Sequence, residues 1–180
     1  IRWTVTADQD TGSRTGDFDA VICTVPLHTL SAITLDTPVD TSPLHAVEYP
    51  PVHVVALGYD RADVDHPLDG FGMLVPPVED DFDILGTLFS STLFANRAPD
   101  GTALLTTFVG GARDPALARQ DPDAIQTVVE RDLAALLGVS GSPTFSHHVH
   151  WPRAIPQYTT GYGVVKDTLD TLEAEHPGLY

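Results

Sequence analysis

The sequence is poor in basic residues, in sulfur and in long apolar runs. Nine Lys and Arg stand against 25 Asp and Glu among 180 residues, which gives a formal net charge of −16. Such a charge argues against nucleic acid and anionic membrane surfaces as partners. No apolar run approaches the ~20 residues of a membrane-spanning helix. The single cysteine, Cys23, allows no disulfide within the chain, and the apolar run Ala20–Val25 around it predicts a buried strand.

Several motifs that carry chemistry are also missing. There is no G-x-G-x-x-G, no P-loop and no nucleophile elbow, so we assign no catalytic residue. The acidic cluster Glu79–Asp83 lacks the ligand spacing and glycine turn of a calcium loop, and a solvated hairpin tip is the better interpretation. His148 and His150 share a strand face, but no third ligand is spaced to join them nearby. We therefore predict no metal site, with a histidine site there as the minor alternative.

The most informative stretch runs from Gly70 to Gly111. It contains three short apolar runs, Phe71–Val75, Ile84–Ser91 and Ala103–Val109, separated by acidic or Asn/Pro/Gly turn residues. This pattern is typical of an antiparallel meander. Because side chains alternate along a strand, three pairs each share a face: Gly72 with Leu74, Gly86 with Leu88, and Thr106 with Phe108. If these faces coincide, they form a broad apolar wall; the alternative is the core face of an ordinary sheet.

The remaining segments complete an α+β pattern. Asp121 is a suitable N-cap, Pro122 a suitable first helical residue and Gly138 a suitable end for an amphipathic helix. A last helix is predicted over Tyr162–Glu175. Further predicted segments are the strands Ile1–Thr6, Ala20–Val25, Val52–Tyr59 and Thr144–Trp151, a turn over Asp8–Asp17 and a helical turn over Leu27–Ile33.

Several collinear motifs resemble one enzyme family. They are DAVICTVP at 19–26, YPPV at 49–52, GFGMLVP at 70–76, ILG at 84–86, SSTLFANRAP at 90–99, GG at 110–111 and WPRAIPQY at 151–158. Together they are similar to the oxygen-dependent protoporphyrinogen and coproporphyrinogen oxidases, FAD-dependent flavoenzymes of the amine-oxidase superfamily. That family usually continues with Gly-His, where this chain has Gly161-Tyr162. No role of that histidine is carried over.

The resemblance implies a function and a set of site residues. The intact protein would oxidise a porphyrinogen, protoporphyrinogen IX or coproporphyrinogen III, to the porphyrin in heme biosynthesis, with dioxygen as acceptor. Gly72, Leu74, Leu88 and Phe108 would line the substrate site, with the glycine allowing close approach of the macrocycle. Trp151 would contact FAD. Arg97 is the one candidate for pairing with a propionate, although a turn-stabilising arginine is the favoured interpretation.

The same resemblance implies a domain organisation. Residues 1–44 would form return strands of a Rossmann-like FAD-binding domain, 45–151 an antiparallel mixed sheet of the substrate-binding lobe with packing helices, and 152–180 the crossover and helix leading back to the FAD-binding domain. The lack of an initiator Met and of the dinucleotide motif suggests a fragment that is inactive alone, with most of the FAD site elsewhere.

Two other functions compete with this one. Another amine-oxidase-superfamily enzyme could act on a polyamine or a carotenoid precursor, although the SSxLFxNRAP turn argues against it. A non-catalytic ligand-binding domain would keep only the sheet. The acidic, Lys-poor composition favours a soluble, cytoplasmic protein, with peripheral attachment at the inner membrane face as the alternative. The resemblance leaves membrane association and a homodimer open.

Overall fold

The computed structural model describes residues 2–10 and 12–180, which form two compact units. One unit contains the stretch up to Glu48 and Tyr158–Tyr180, and the other is Tyr49–Gln157. In chain order the elements are β1 (Trp3–Gln9), β2 (Gly12–Phe18), β3 (Val52–Asp60), β4 (Gly72–Leu74), β5 (Ile84–Phe89), α1 (Ser90–Leu93), β6 (Thr102–Gly110), α2 (Pro122–Leu137), β7 (Phe145–Trp151) and α3 (Gly163–Glu175). The assignment of functions to 1–44, 45–151 and 152–180 stays a prediction.

The continuous unit is built on a five-stranded antiparallel sheet in the order β4-β5-β6-β3-β7. Helix α2 packs against one face of it, and buried side chains from both form the core. Burying each large apolar side chain contributes about 1.5–3 kcal/mol. The predicted α+β class and the predicted meander β4-β5-β6 are confirmed. The core is formed by Val55, Leu57, Leu105, Val109, Ile125, Val129 and Leu133, among others.

Helix α2 begins and ends where its sequence predicts. The Asp121 side chain accepts a hydrogen bond from the amide of Ala124, at 3.0 Å, and Pro122 occupies the first turn. Gly138 closes the helix with φ 63° and ψ 37°, in the left-handed region that favours glycine. Both ends of the helix therefore have their exposed backbone groups partly satisfied by local residues.

In the other unit, the predicted turn over Asp8–Asp17 is wrong. Most of that segment forms the β1–β2 hairpin, in which β2 pairs antiparallel with β1. Polar cross-strand contacts stabilise it: the hydroxyl of Thr4 donates to Asp17 at 2.8 Å, and those of Thr6 and Thr15 lie 3.0 Å apart. Ile1, the first residue of the predicted strand, lies outside the described residues.

The prediction of a buried strand at Ala20–Val25 is also wrong. Val21 forms an isolated parallel bridge with Leu179, and Cys23 is exposed. Ile22 is 73% exposed. Although the segment is apolar on both faces, none of the described residues buries it.

Helix α3 and two short 3-10 helices bury a separate apolar cluster in this unit. Leu44, Val165 and Leu172 form its centre, and the 3-10 helices span Leu27–Ala32 and Ser42–Ala46. The predicted helical turn after Pro26 and the predicted last helix are both confirmed. No helix in the described part of the chain is long and apolar enough to cross a membrane.

Candidate functional site

The strand register brings the predicted wall residues onto one face of the sheet. Leu88 on β5 lies opposite both Gly72 on β4 and Thr106 on β6. Gly86 lies opposite Leu74 and Phe108. Directly paired residues of antiparallel strands share a face, so Gly72, Leu74, Leu88 and Phe108 lie together. Alternation predicted the pairs within each strand, and the register shows that the three faces coincide.

This face is the one turned away from α2. Along β6 the side chains of Ala103, Leu105 and Val109 are buried, whereas Leu104 and Phe108 are only partly buried. Leu74 is 85% exposed. A register shift between Ile84 and Gly86 sends Ile84 into the core opposite Val109 and leaves Leu88 on the open face. We call this face the open face.

Two glycines on the open face are required by the backbone. A Cβ added at Gly72 would lie 2.3 Å from the carbonyl oxygen of Thr87, and one at Gly86 would lie 2.4 Å from that of Met73. Both have strongly positive φ, 157° and 155°. The close pairing of β4 with β5 therefore accounts for both glycines, whether or not a ligand approaches Gly72. The role of Gly72 in a substrate site stays a prediction.

The connection between β4 and β5 is held by Arg113. Its guanidinium donates to the carbonyls of Val75 at 3.1 Å, Glu79 at 2.8 Å and Phe82 at 3.2 Å. These three carbonyls span the connection, so one side chain anchors it at both ends. Arg113 thus ties the acidic tip of the hairpin to Val75, the residue that follows Leu74 at the end of β4.

A buried carboxylate holds the start of β5. Asp132 of α2 is 1% exposed, and its Oδ2 accepts from the amides of Asp83 at 2.7 Å and Ile84 at 3.0 Å. Arg131 donates to both Asp83 and Asp132. Its hydrogen bonds to Asp83 and then Asp132 raise the pKa of Arg131. This network joins the helix to the strand that carries Leu88.

Trp151 lies at the end of β7 on the open face. It pairs with Val52 of β3, while Val54, on the same side of that strand, pairs with Phe108. The Trp151 residue is 54% exposed and is followed by Pro152. An exposed indole ring at a stiff strand end can stack on or edge a flat ring system. The residue fits the edge of a flavin in this respect, and its predicted contact with FAD stays a prediction.

A cavity of about 720 Å³ opens at one end of the open face. Leu88 lines both the cavity and the predicted wall, whereas Gly72, Leu74, Phe108 and Trp151 do not line the cavity. The volume lies within the range of small-molecule pockets. Sequence reasoning missed this cavity because β3 and β7 are distant from β5 in the chain. Its other lining residues include Ala56, Phe94, Arg97, Leu104, Thr106 and His147.

Arg97 has a position in this cavity that its motif alone did not predict. Its guanidinium carbon lies 5.5 Å from the centre of the Phe94 ring, which is within cation–π distance. Nothing in the described part of the chain forms a hydrogen bond or ion pair with its side chain. The interpretation of Arg97 as a turn-stabilising residue therefore finds no hydrogen bond to support it.

Three histidines cluster on the α2 side of the sheet. His53 is 2% exposed, with Nε2 3.0 Å from the Ala118 carbonyl oxygen and Nδ1 2.6 Å from Nε2 of His148. A carbonyl only accepts, so Nε2 of His53 carries the proton and Nδ1 accepts from His148. The His150 ring stacks on that of His53 with centroids 4.3 Å apart.

Burial is the main cause of the altered pKa values of His53 and His148. It lowers the pKa of His53, and it lowers the pKa of His148, with the neighbouring histidines acting in the same direction. Within the described residues no group of three His, Cys, Asp or Glu is arranged to hold a metal ion. His53 is the nearby third histidine that sequence spacing could not identify, and it pairs with His148 directly.

Comparison with known families gives one match over the whole chain. The family described as flavin containing amine oxidoreductase matches residues 1–180. Its coverage includes both compact units.

Individual relatives agree with that match. The mitochondrial protoporphyrinogen oxidase of Nicotiana tabacum is 40% identical over 168 residues, covering 91% of this chain and 33% of its own length. Protoporphyrinogen oxidase 2 of Arabidopsis thaliana is 38% identical with the same coverage. The coproporphyrinogen III oxidase of Bacillus subtilis is 28% identical, covering 91% of this chain and 35% of its own. The chain thus spans about a third of the length of these relatives.

Two solved structures share the fold. A crystal structure named as a protoporphyrinogen oxidase from Exiguobacterium superposes with a TM-score of 0.72 at 20% identity, covering 98% of this chain and 38% of that one. Reduced UDP-galactopyranose mutase superposes with a TM-score of 0.66 at 15% identity, covering 97% and 37%. These likenesses support the fold alone, since the two names denote different reactions.

Proposed function

Because the chain belongs to the flavin containing amine oxidoreductase family, we propose that the intact protein oxidises a porphyrinogen to a porphyrin in heme biosynthesis. The cofactor would be FAD and the acceptor dioxygen. The relatives named as protoporphyrinogen and coproporphyrinogen oxidases, up to 40% identical, support this reaction class. Both protoporphyrinogen IX and coproporphyrinogen III are kept as substrates.

One observation carries the proposal from family to site. The strand register gathers Leu74, Leu88 and Phe108 on an apolar sheet face that is partly open. A porphyrinogen is a large apolar macrocycle with acidic side groups, and an apolar surface of this kind suits its ring. The cavity that begins at Leu88 extends the same surface.

The residues of this chain would bind, orient and shield the substrate. Leu74, Leu88 and Phe108 would pack against the macrocycle and exclude water from it. When bound, a flavin would supply the redox chemistry, a two-electron oxidation of the substrate with dioxygen as the final acceptor. No acid or base on the open face is assigned a proton transfer. Trp151, exposed at the strand end, would border the flavin; the sequence has no G-x-G-x-x-G to hold the diphosphate.

The reaction itself is tested with the intact protein in which this chain occurs. The purified flavoprotein is given each porphyrinogen in air, and porphyrin fluorescence is followed, with an anaerobic sample as control. We expect oxygen-dependent porphyrin formation from at least one of the two. Flavin-loaded protein that oxidises neither porphyrinogen would refute the proposed function.

The substrate face is tested by the change Leu88→Arg. A charged side chain inserted into the apolar face would displace the macrocycle, so we expect the KM for porphyrinogen to rise about tenfold or more with flavin content near normal. Ala135→Arg adds the same charge to the exposed surface of α2, on the other side of the sheet, and should leave KM unchanged. Loss of flavin from Leu88→Arg with unaltered KM would contradict the assignment.

We also propose a cytoplasmic location for the reaction. The net charge of −16 on this chain disfavours contact with anionic lipid. Fractionation of cells should recover the protein in the soluble fraction at low ionic strength. Recovery with the membranes would overturn this location and favour peripheral attachment.

A further inference from the structure

We infer that Arg97 binds a carboxylate side group of the substrate in the cavity beside Leu88. This inference rests on the proposed function, because it takes the occupant to be a porphyrinogen. It assigns a substrate-binding role to a residue outside the apolar wall, and it gives the site a cationic end. The other end remains the apolar surface formed by Leu74, Leu88 and Phe108.

The first reason is the charge of the cavity. Arg97 is the one Lys or Arg among the described residues that line it, and none of those residues is acidic. The lining thus offers Arg97 no carboxylate, although the chain has 25 acidic and nine basic residues. An anionic group is the ligand that such an environment favours.

The second reason is the state of the guanidinium group. Arg97 packs over the Phe94 ring, which restricts its orientation while leaving its N–H donors without a hydrogen-bonded partner among the described residues. A guanidinium presents these donors as a planar fork that matches a carboxylate. Arg131 and Arg113, by contrast, donate to side-chain or backbone oxygens of the same unit.

The third reason is continuity with the apolar wall. Leu88 belongs to both surfaces, and Ala56 and Leu104 continue the apolar lining. Porphyrinogens combine an apolar ring with propionate groups at its edge. A ring held against Leu88 can therefore extend a propionate toward Arg97. Arg97 is exposed, so water screens the pair, and the expected gain in affinity is modest.

The test compares Arg97→Gln and Arg97→Lys with the control Arg119→Gln in the intact protein. Arg119 is exposed and follows β6 outside the cavity, so its change removes one charge without touching the site. For Arg97→Gln we expect the KM for coproporphyrinogen III to rise about three- to tenfold while kcat changes less than twofold. The KM of Arg97→Lys should lie between those of wild type and Arg97→Gln, because lysine keeps the positive charge but lacks the planar pair of N–H donors.

Salt provides a second readout that a merely structural role would not change. The wild-type KM should rise with ionic strength, because salt screens the ion pair between Arg97 and the carboxylate. The KM of Arg97→Gln should rise less, because that variant lacks the ion pair. An unchanged KM in Arg97→Gln, or an effect equal to that of Arg119→Gln, would overturn the inference.

A binding measurement separates this inference from the proposed function. Coproporphyrin III and its methyl ester are titrated into the protein and followed by fluorescence quenching. Wild type should prefer the free acid, and Arg97→Gln should lose about three- to tenfold of that preference. If neither porphyrinogen is oxidised but the preference depends on Arg97, the proposed function fails and the carboxylate site stands. If oxidation occurs and the preference for the free acid survives in Arg97→Gln, the proposed function stands and the carboxylate site fails.

Discussion

At the scale of single residues, the pair of buried His53 and half-buried His148 makes stability depend on pH. His53 and His148 have their pKa values lowered mainly by burial. A base whose pKa is lower in the folded state binds more protons when unfolded, so its stabilising effect is present above the unfolded pKa, about 6.5, and is lost as pH falls through the folded one. We expect the free energy of unfolding to decrease below about pH 6.5, measured by urea denaturation at several pH values.

The groups facing His53 define the control for this pH dependence. They are His148 and His150 on β7 and the carbonyl of Ala118. His53→Gln should flatten the decrease in stability between pH 7 and pH 5. His45→Gln, at an exposed histidine of the other unit, should leave the decrease in place. Equal slopes for wild type and His53→Gln would show that the pair is not its source.

The site residues differ in how far sequence alone could identify them. Alternation along each strand predicted that Gly72 and Leu74 share a face, and the register confirmed it. The physical reason for Gly72 could not be read from the pattern, because it depends on the carbonyl of Thr87 across the strand pair. Arg97 was noticed only through its motif, since the cavity depends on contacts between segments far apart in the chain.

At the scale of elements, Asp132 links α2 to β5. Its carboxylate accepts two backbone amides while 1% exposed. Asp132→Ala would leave the amides of Asp83 and Ile84 without this partner, and each buried unpaired group costs about 1–3 kcal/mol. We expect a loss of about 2–4 kcal/mol in the free energy of unfolding, measured by urea denaturation.

Asp81→Ala is the matched control for that change. Asp81 is an exposed aspartate in the same β4–β5 connection, and its removal should change stability by less than about 0.5 kcal/mol. A comparable loss in both variants would indicate a general effect of charge. A loss confined to Asp132→Ala would identify the buried hydrogen bonds as the cause.

The elements that sequence predicted well are those with local determinants. The cap, Pro122 and Gly138 define α2 within its own segment, and the apolar runs with their turn residues define the meander. The β1–β2 hairpin was missed because Asp, Gly and Ser are common in turns, whereas here Thr and Asp pair across strands. The segment of β2, GSRTGDF, has no apolar run like those of the meander, so its local pattern did not indicate a strand.

At the scale of the whole molecule, the two units differ in continuity. Tyr49–Gln157 is one uninterrupted segment with its own sheet, helix and core, whereas the other unit joins two separate stretches. A continuous segment with its own core has the properties of an independent domain. The family match extends over both units, so the proposed reaction concerns them together, while the carboxylate site proposed for Arg97 lies within the continuous unit.

This difference predicts how the isolated continuous unit behaves. Residues 49–157 produced alone should fold, with far-ultraviolet circular dichroism of a mixed sheet and helix and a single cooperative transition in urea. Because the open face exposes Leu74 and partly exposes Leu88 and Phe108, the unit should also bind an apolar dye such as ANS, and Leu88→Arg should weaken that binding. Asp132→Ala in the same segment should lower the transition midpoint without changing dye binding by the folded state. A non-cooperative transition for 49–157 would mean that its core needs the rest of the protein to form.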